Sequence, residues 1–125
     1  MAKSVNNLVL DAALDYIQDN GNRLCVCSTE PTTYTEAITT YKLAIGTIGS
    51  SDYTDPADGD SSGRKLTVGS KANITVDATG TAAHVAIANA TGSTLLYVTT
   101  CTAQALTSGN TVTVPAWDIE IADPT

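Results

Sequence analysis

The sequence predicts a mainly β protein: a β-sandwich or jelly-roll-like domain carrying one N-terminal amphipathic α-helix. Three observations lead there. Thr makes up roughly one residue in six, and its branched Cβ suits the pleat of a strand. From Asp77 to Ile121, short Thr-, Ala- and Val-rich runs alternate with Gly-containing turns, the spacing of short antiparallel strands. Helical periodicity, by contrast, is confined to the first twenty residues. At 125 residues the chain fits a single domain, 1–125, large enough to bury roughly two-thirds of its unfolded surface.

The helix is expected over Ser4 to Asn20. Leu10, Ala13, Leu14 and Ile17 recur at i, i+3, i+4 and i+7 and should form the face that packs on the sheet. Gly21 stands where a left-handed C-cap would lie. Asp11, Asp15 and Asp19 line up on another side as a solvated acidic face. Arg23 to Ser28 reads as a strand ended by Glu30-Pro31, and Thr35 to Ile45 as mostly strand with a helical first turn around Thr35-Glu-Ala-Ile38. Residues 46–63 have no apolar periodicity and read as one long acidic loop, the natural place for contact with a partner. Strands are then expected at 65–68, 72–76, 82–89, 94–100, 103–106, 111–114 and 117–121, before a frayed tail at Asp123-Pro-Thr125.

Phe is absent and Trp117 is the only Trp, so the core must be built from small aliphatic residues and Tyr. Each such residue contributes modestly to stability, and a thin sandwich of this kind gains from burying a face against a neighbour. The net charge of −7 with only six basic residues argues against nucleic acid, which demands a Lys/Arg patch. No apolar run reaches the length of a membrane span, and Met1-Ala-Lys-Ser4 has no secretory signal character, so synthesis in a cytoplasm is expected.

Few groupings suggest chemistry. Cys25 and Cys27 point to one face of a strand, a poor geometry for bridging each other. They read as buried reduced thiols, and a disulfide from either to Cys101, or to a neighbouring subunit, is the alternative. Asp58, Asp60 and Ser62 with Gly63 repeat the first half of an EF-hand calcium loop. The second half fails, because Gly69 stands where a bidentate Glu is needed and Arg64-Lys65 follow at once. His84, the single imidazole, alternates with Val85 and Ile87 and shares a sheet face with Ala86 and Ala88. Without a partner motif it reads as a half-exposed sheet residue rather than a base or a zinc ligand. No phosphate-binding Gly loop occurs, and Asn73-Ile-Thr75 and Asn89-Ala-Thr91 match the glycosylation pattern by composition alone. Neither a catalytic residue nor a cofactor is expected. Trp117, Ile119 and Ile121 share a face that should close the core, and Pro115 marks an edge or a bulge where a neighbouring chain could dock.

The order of motifs in the second half resembles a family of small tailed-bacteriophage virion proteins. A helix and strand are followed by Ala78-Thr-Gly-Thr-Ala82 opening a strand, the hairpin Gly92-Ser-Thr-Leu-Leu96, and a closing strand after Gly109-Asn-Thr-Val-Thr-Val114. The resemblance implies a structural component of a virion. Within that class, an acidic, thin-cored β domain suits a capsid decoration or cement protein, in which weak contacts repeated over a symmetric particle add up. The expected partners are the major capsid protein or other virion proteins, together with further copies of the chain; nucleic acid and membrane are not among them. Tyr53, Asp55, Asp58 and Trp117 are the candidate contact residues. A neck, tail or fibre component is the alternative within the virion, and a small adhesin-like carbohydrate or host-surface binding module the alternative outside it.

Overall fold

The computed structural model describes residues 3–124. It is mainly β, with one N-terminal helix and three antiparallel sheets. In chain order the elements are α1 (Asn7–Asn20), β1 (Arg23–Cys27), β2 (Lys42–Thr47), β3 (Tyr53–Asp58), β4 (Arg64–Val68), β5 (Lys71–Thr75), β6 (Gly80–Asn89), β7 (Thr94–Leu106), β8 (Thr111–Val114) and β9 (Trp117–Ile121). A π-helical turn at Glu36–Thr40 precedes β2, and a 3₁₀ turn at Ser50–Asp52 precedes β3.

The four-stranded sheet runs β2-β1-β6-β7, the three-stranded sheet β3-β4-β9, and β5 pairs with β8 alone. One continuous core joins them in a sandwich-like arrangement. Leu24 and Val26 of β1, Leu43 of β2 and Val85 and Ile87 of β6 meet Leu66 and Val68 of β4, Ile74 of β5, Val114 of β8 and Ile119 of β9. Every one of these is a small aliphatic side chain. A second, smaller cluster lies on the other face of the four-stranded sheet, where Cys25, Cys27 and Ala86 are covered by Ala37 of the π-helical turn.

The helix is shorter at its start than the periodicity predicts. Asn6 caps it, its side chain accepting from Leu8 N at 2.8 Å, an N-cap geometry that an Asn provides and Ser4 does not occupy. Leu10 and Leu14 are buried and Ile17 is partly buried against the core, but Ala13 faces solvent. Leu14, with no exposed surface, contributes on the order of 1.5–3 kcal/mol through burial. Gly21 is not a left-handed cap: its φ is −76°. Glycine is required there by close approach, since a Cβ would lie 2.6 Å from Ile87 Cγ2 and would collide with the Tyr53 hydroxyl. The positive-φ glycines lie elsewhere, at Gly63 with φ +69° in the turn before β4 and at Gly109 with φ +92° in the turn before β8.

Residues 46–63 are not one loop. After a 3₁₀ turn closed by Gly49 N to Asp52 Oδ2 at 2.8 Å, residues 53–58 form β3, paired with β4 across a bulge between Thr54 and Ala57. The strand was hidden from periodicity because only Tyr53 is buried and Pro56 interrupts the ladder. Thr35–Ile45 likewise divides into the π-helical turn and β2. The two short strands expected at 94–100 and 103–106 are one 13-residue strand, β7, whose register shifts opposite Ala82 and His84.

Candidate interaction surfaces

The charged side chains are segregated. No Asp, Glu, Lys or Arg occurs between Ala78 and Trp117, so β6, β7 and β8 carry no charged side chain, and the ions lie on α1, β1–β5, β9 and the segments joining them. Most cations are already engaged. Arg64 bridges α1 and β3, with Nε 2.8 Å from Asp11 Oδ1 and Nη1 2.7 Å from Asp58 Oδ1. The hydrogen bond from Arg64 to Asp11, followed by that to Asp58, raises the guanidinium pKa further. Lys65 reaches Asp60 at 2.7 Å and Asp118 at 3.5 Å, Lys42 reaches Asp77 at 3.1 Å, and Lys71 lies 3.7 Å from Asp52.

These pairs decide what the acidic turn can do. Asp58 and Asp60 do not converge on a cation: each carboxylate is held by the basic residue of β4 that follows it. The Ser62 hydroxyl accepts from Asp123 N at 3.3 Å. Among the described residues no group of three or more His, Cys, Asp or Glu side chains is placed to hold a metal ion.

The three thiols are free. Burial, reinforced by the neighbouring Cys27, pushes Cys25 up to about 12, and burial pushes Cys27 up to about 11. Thiols held protonated in this way are poor nucleophiles near neutral pH. His84 pairs with Cys27 of β1 and Thr100 of β7. It borders a shallow hollow with Glu30 and Thr99, but its Nδ1 is buried without a hydrogen-bond partner, whereas a catalytic imidazole is oriented through that nitrogen.

Of the four expected contact residues, Tyr53 is a core residue. It is 7% exposed and its hydroxyl donates to Gly21 O at 2.9 Å; the apolar ring follows the inward side of β3, so it is removed from the contact set. Asp55 and Asp58 are exposed on β3, Asp55 accepting from Gln18 Nε2 of α1 at 2.9 Å. Trp117 is half-buried, packed against the core with Ile121 beside it, and its indole N–H has no partner. It lines one end of an apolar seam between β7 and the β8–β9 connection, a hollow of about 280 Å³ adjoining another of about 190 Å³ walled by Val26, Val85 and Val112.

A surface that sequence reading passed over is the outer side of α1. Leu8, Val9 and Tyr16 are 76%, 61% and 57% exposed, and Ala12 and Ala13 lie between them, also exposed. At 100° per residue these five form one stripe about two turns long. Asp15 and Asp19 border it, exposed and without an ion pair among the described residues. Asp11, by contrast, is turned toward β4. The acidic ladder therefore divides: its first member ties the helix down and the other two flank an apolar strip. The signal was present in the sequence, because two apolar stripes rather than one run along this helix.

No protein-family model, no curated protein and no solved structure matches the chain.

Proposed function

We propose that the chain is a structural protein of a tailed-bacteriophage virion, most directly a capsid decoration or cement protein that stabilises the shell by non-covalent contact. The observation that carries this reading is the α1 stripe. Three large apolar side chains more than half exposed on a helix otherwise docked on the sheet constitute an apolar patch of the kind that marks a binding surface. Its Asp15 and Asp19 border suits a partner groove with apolar walls and a basic rim.

The motif order agrees with the same reading. Ala78-Thr-Gly-Thr-Ala82 leads into β6, Gly92-Ser-Thr-Leu-Leu96 forms the turn into β7, and Gly109-Asn-Thr-Val-Thr-Val114 delivers β8 ahead of the closing strand β9. The mechanism would be mechanical. Each bound copy bridges shell subunits, and separating them re-exposes apolar area at about 25 cal/mol per Å²; many copies make weak individual contacts sufficient.

Gel quantitation of purified particles tests this proposal. Hundreds of copies per particle are expected; a dozen or fewer would instead indicate a neck, tail or fibre component, and none would remove the chain from the virion. A clear hit on a glycan array would favour the adhesin-like module.

A further inference from the structure

We propose that the apolar seam between β7 and the β8–β9 connection is a binding site for a small uncharged apolar molecule, an aryl compound or a short alkyl chain. This inference is independent of the virion reading, since it concerns the chain alone in solution.

The seam exists because the sandwich is not closed on that side. β7 belongs to the four-stranded sheet and β8 and β9 to the two others, and β7 pairs with neither of them among the described residues. β7 is also bulged there. Gln104 faces Ala82 and Thr100 faces His84, so Cys101, Thr102 and Ala103 stand opposite Ala83 alone. A bulge of this kind bends its strand and interrupts the ladder. Both hollows of the seam lie against it, with Cys101 and Thr102 lining each and Pro115 bordering both from the β8–β9 connection.

The walls define the occupant. Val26, Val85 and Val114 are buried core residues, yet each borders a hollow, so the seam reaches the core itself. No Asp, Glu, Lys, Arg or His among the described residues lines either hollow, and a charge placed against such walls would lose its hydration without gaining a counter-charge. The ligand is therefore neutral. A β-strand does not suit the seam, because the bulge breaks the amide row of β7 and β8 offers only four residues ahead of Pro115, which has no N–H. Size follows from volume. An apolar cavity of about 150 Å³ holds one benzene ring. The hollows here are about 190 Å³ and about 280 Å³ and adjoin, so one molecule of two joined aryl groups, or an alkyl chain of similar bulk, spans them.

Trp117 lines the wider hollow and is the only Trp, which makes its emission a direct reporter of occupancy. The test titrates the purified chain with N-phenyl-1-naphthylamine, a neutral pair of joined aryl groups that accepts energy from indole. A parallel titration uses 8-anilino-1-naphthalenesulfonate, the same skeleton with a sulfonate, at ~0.5 M salt so that general repulsion of anions is screened. The neutral probe should quench Trp117 saturably with one site per chain and should protect Cys101 from Ellman's reagent; the sulfonate should bind at least about tenfold more weakly. Thr102→Phe, at an exposed position lining both hollows, should weaken the neutral probe by at least about tenfold with an unchanged circular dichroism spectrum. Ala116→Phe, exposed and bordering the wider hollow, gives the same readout if the first variant does not fold. L8K/Y16K, altered on the α1 stripe, should bind as wild type does. No saturable quenching, equal affinity for the sulfonate, undiminished binding by the folded Phe variant, or loss of binding in L8K/Y16K would each overturn the proposal.

Discussion

Tyr53 joins three parts of the molecule through a single hydroxyl. It begins β3, its ring lies in the core, and its O–H donates to Gly21 O, the first residue after α1. Gly21 in turn has no room for a side chain because that hydroxyl and Ile87 of β6 press against it. A buried carbonyl deprived of its donor costs roughly 1–3 kcal/mol. Tyr53→Phe should therefore lower the unfolding free energy by that amount, read as a lower urea midpoint at an unchanged m-value, since the ring and its packing remain. A midpoint within experimental error of wild type would mean that the helix is held to the sheet by apolar contact alone. Burial also drives the Tyr53 phenol upward, with Asp52 adding to the effect, so this hydroxyl stays protonated and donating through the neutral range.

At the scale of the element, β1 is buried on both faces, which is why its two thiols behave as they do. Leu24 and Val26 enter the main core, while Cys25 and Cys27 lie beneath the π-helical turn. Their pKa values are raised from 9.0 to about 12 and about 11, so above pH 9 the folded state holds protons that the unfolded chain releases. The stability this provides is fully present below about pH 9 and is lost as pH rises toward 11–12. Thermal unfolding between pH 8 and pH 11 should show a steeper loss for wild type than for C25A/C27A, and equal slopes would contradict the burial of the thiols. Ellman titration at pH 8 should modify Cys101 first, with the other two reacting only on unfolding. The alternation of β1 was legible in the sequence, as were β6, β8, β9 and the helix, because each has a clear apolar period. β3 was not, since Pro56 and three exposed polar or charged positions erase its alternation. The π-helical turn was not legible either, because Tyr41 N bonds to Glu36 O, a spacing that no propensity encodes. Tyr53 was misplaced as a contact residue for the same reason as β3: a loop assignment makes any aromatic look exposed. The α1 stripe was overlooked because Leu10, Leu14 and Ile17 already satisfied the expectation of one apolar face.

At the scale of the whole molecule, four of the six basic residues are engaged with the protein's own acids, while β6, β7 and β8 carry no charged side chain. Such an arrangement suits a protein that acts through its contacts, repeated over a surface. A density map of the intact virion measures this most directly. The proposal predicts the domain on the capsid shell in many copies, with Leu8, Val9 and Tyr16 buried against a neighbouring subunit. Particles whose maps contain no density for the domain, or contain it with that helix face turned to solvent, would contradict it.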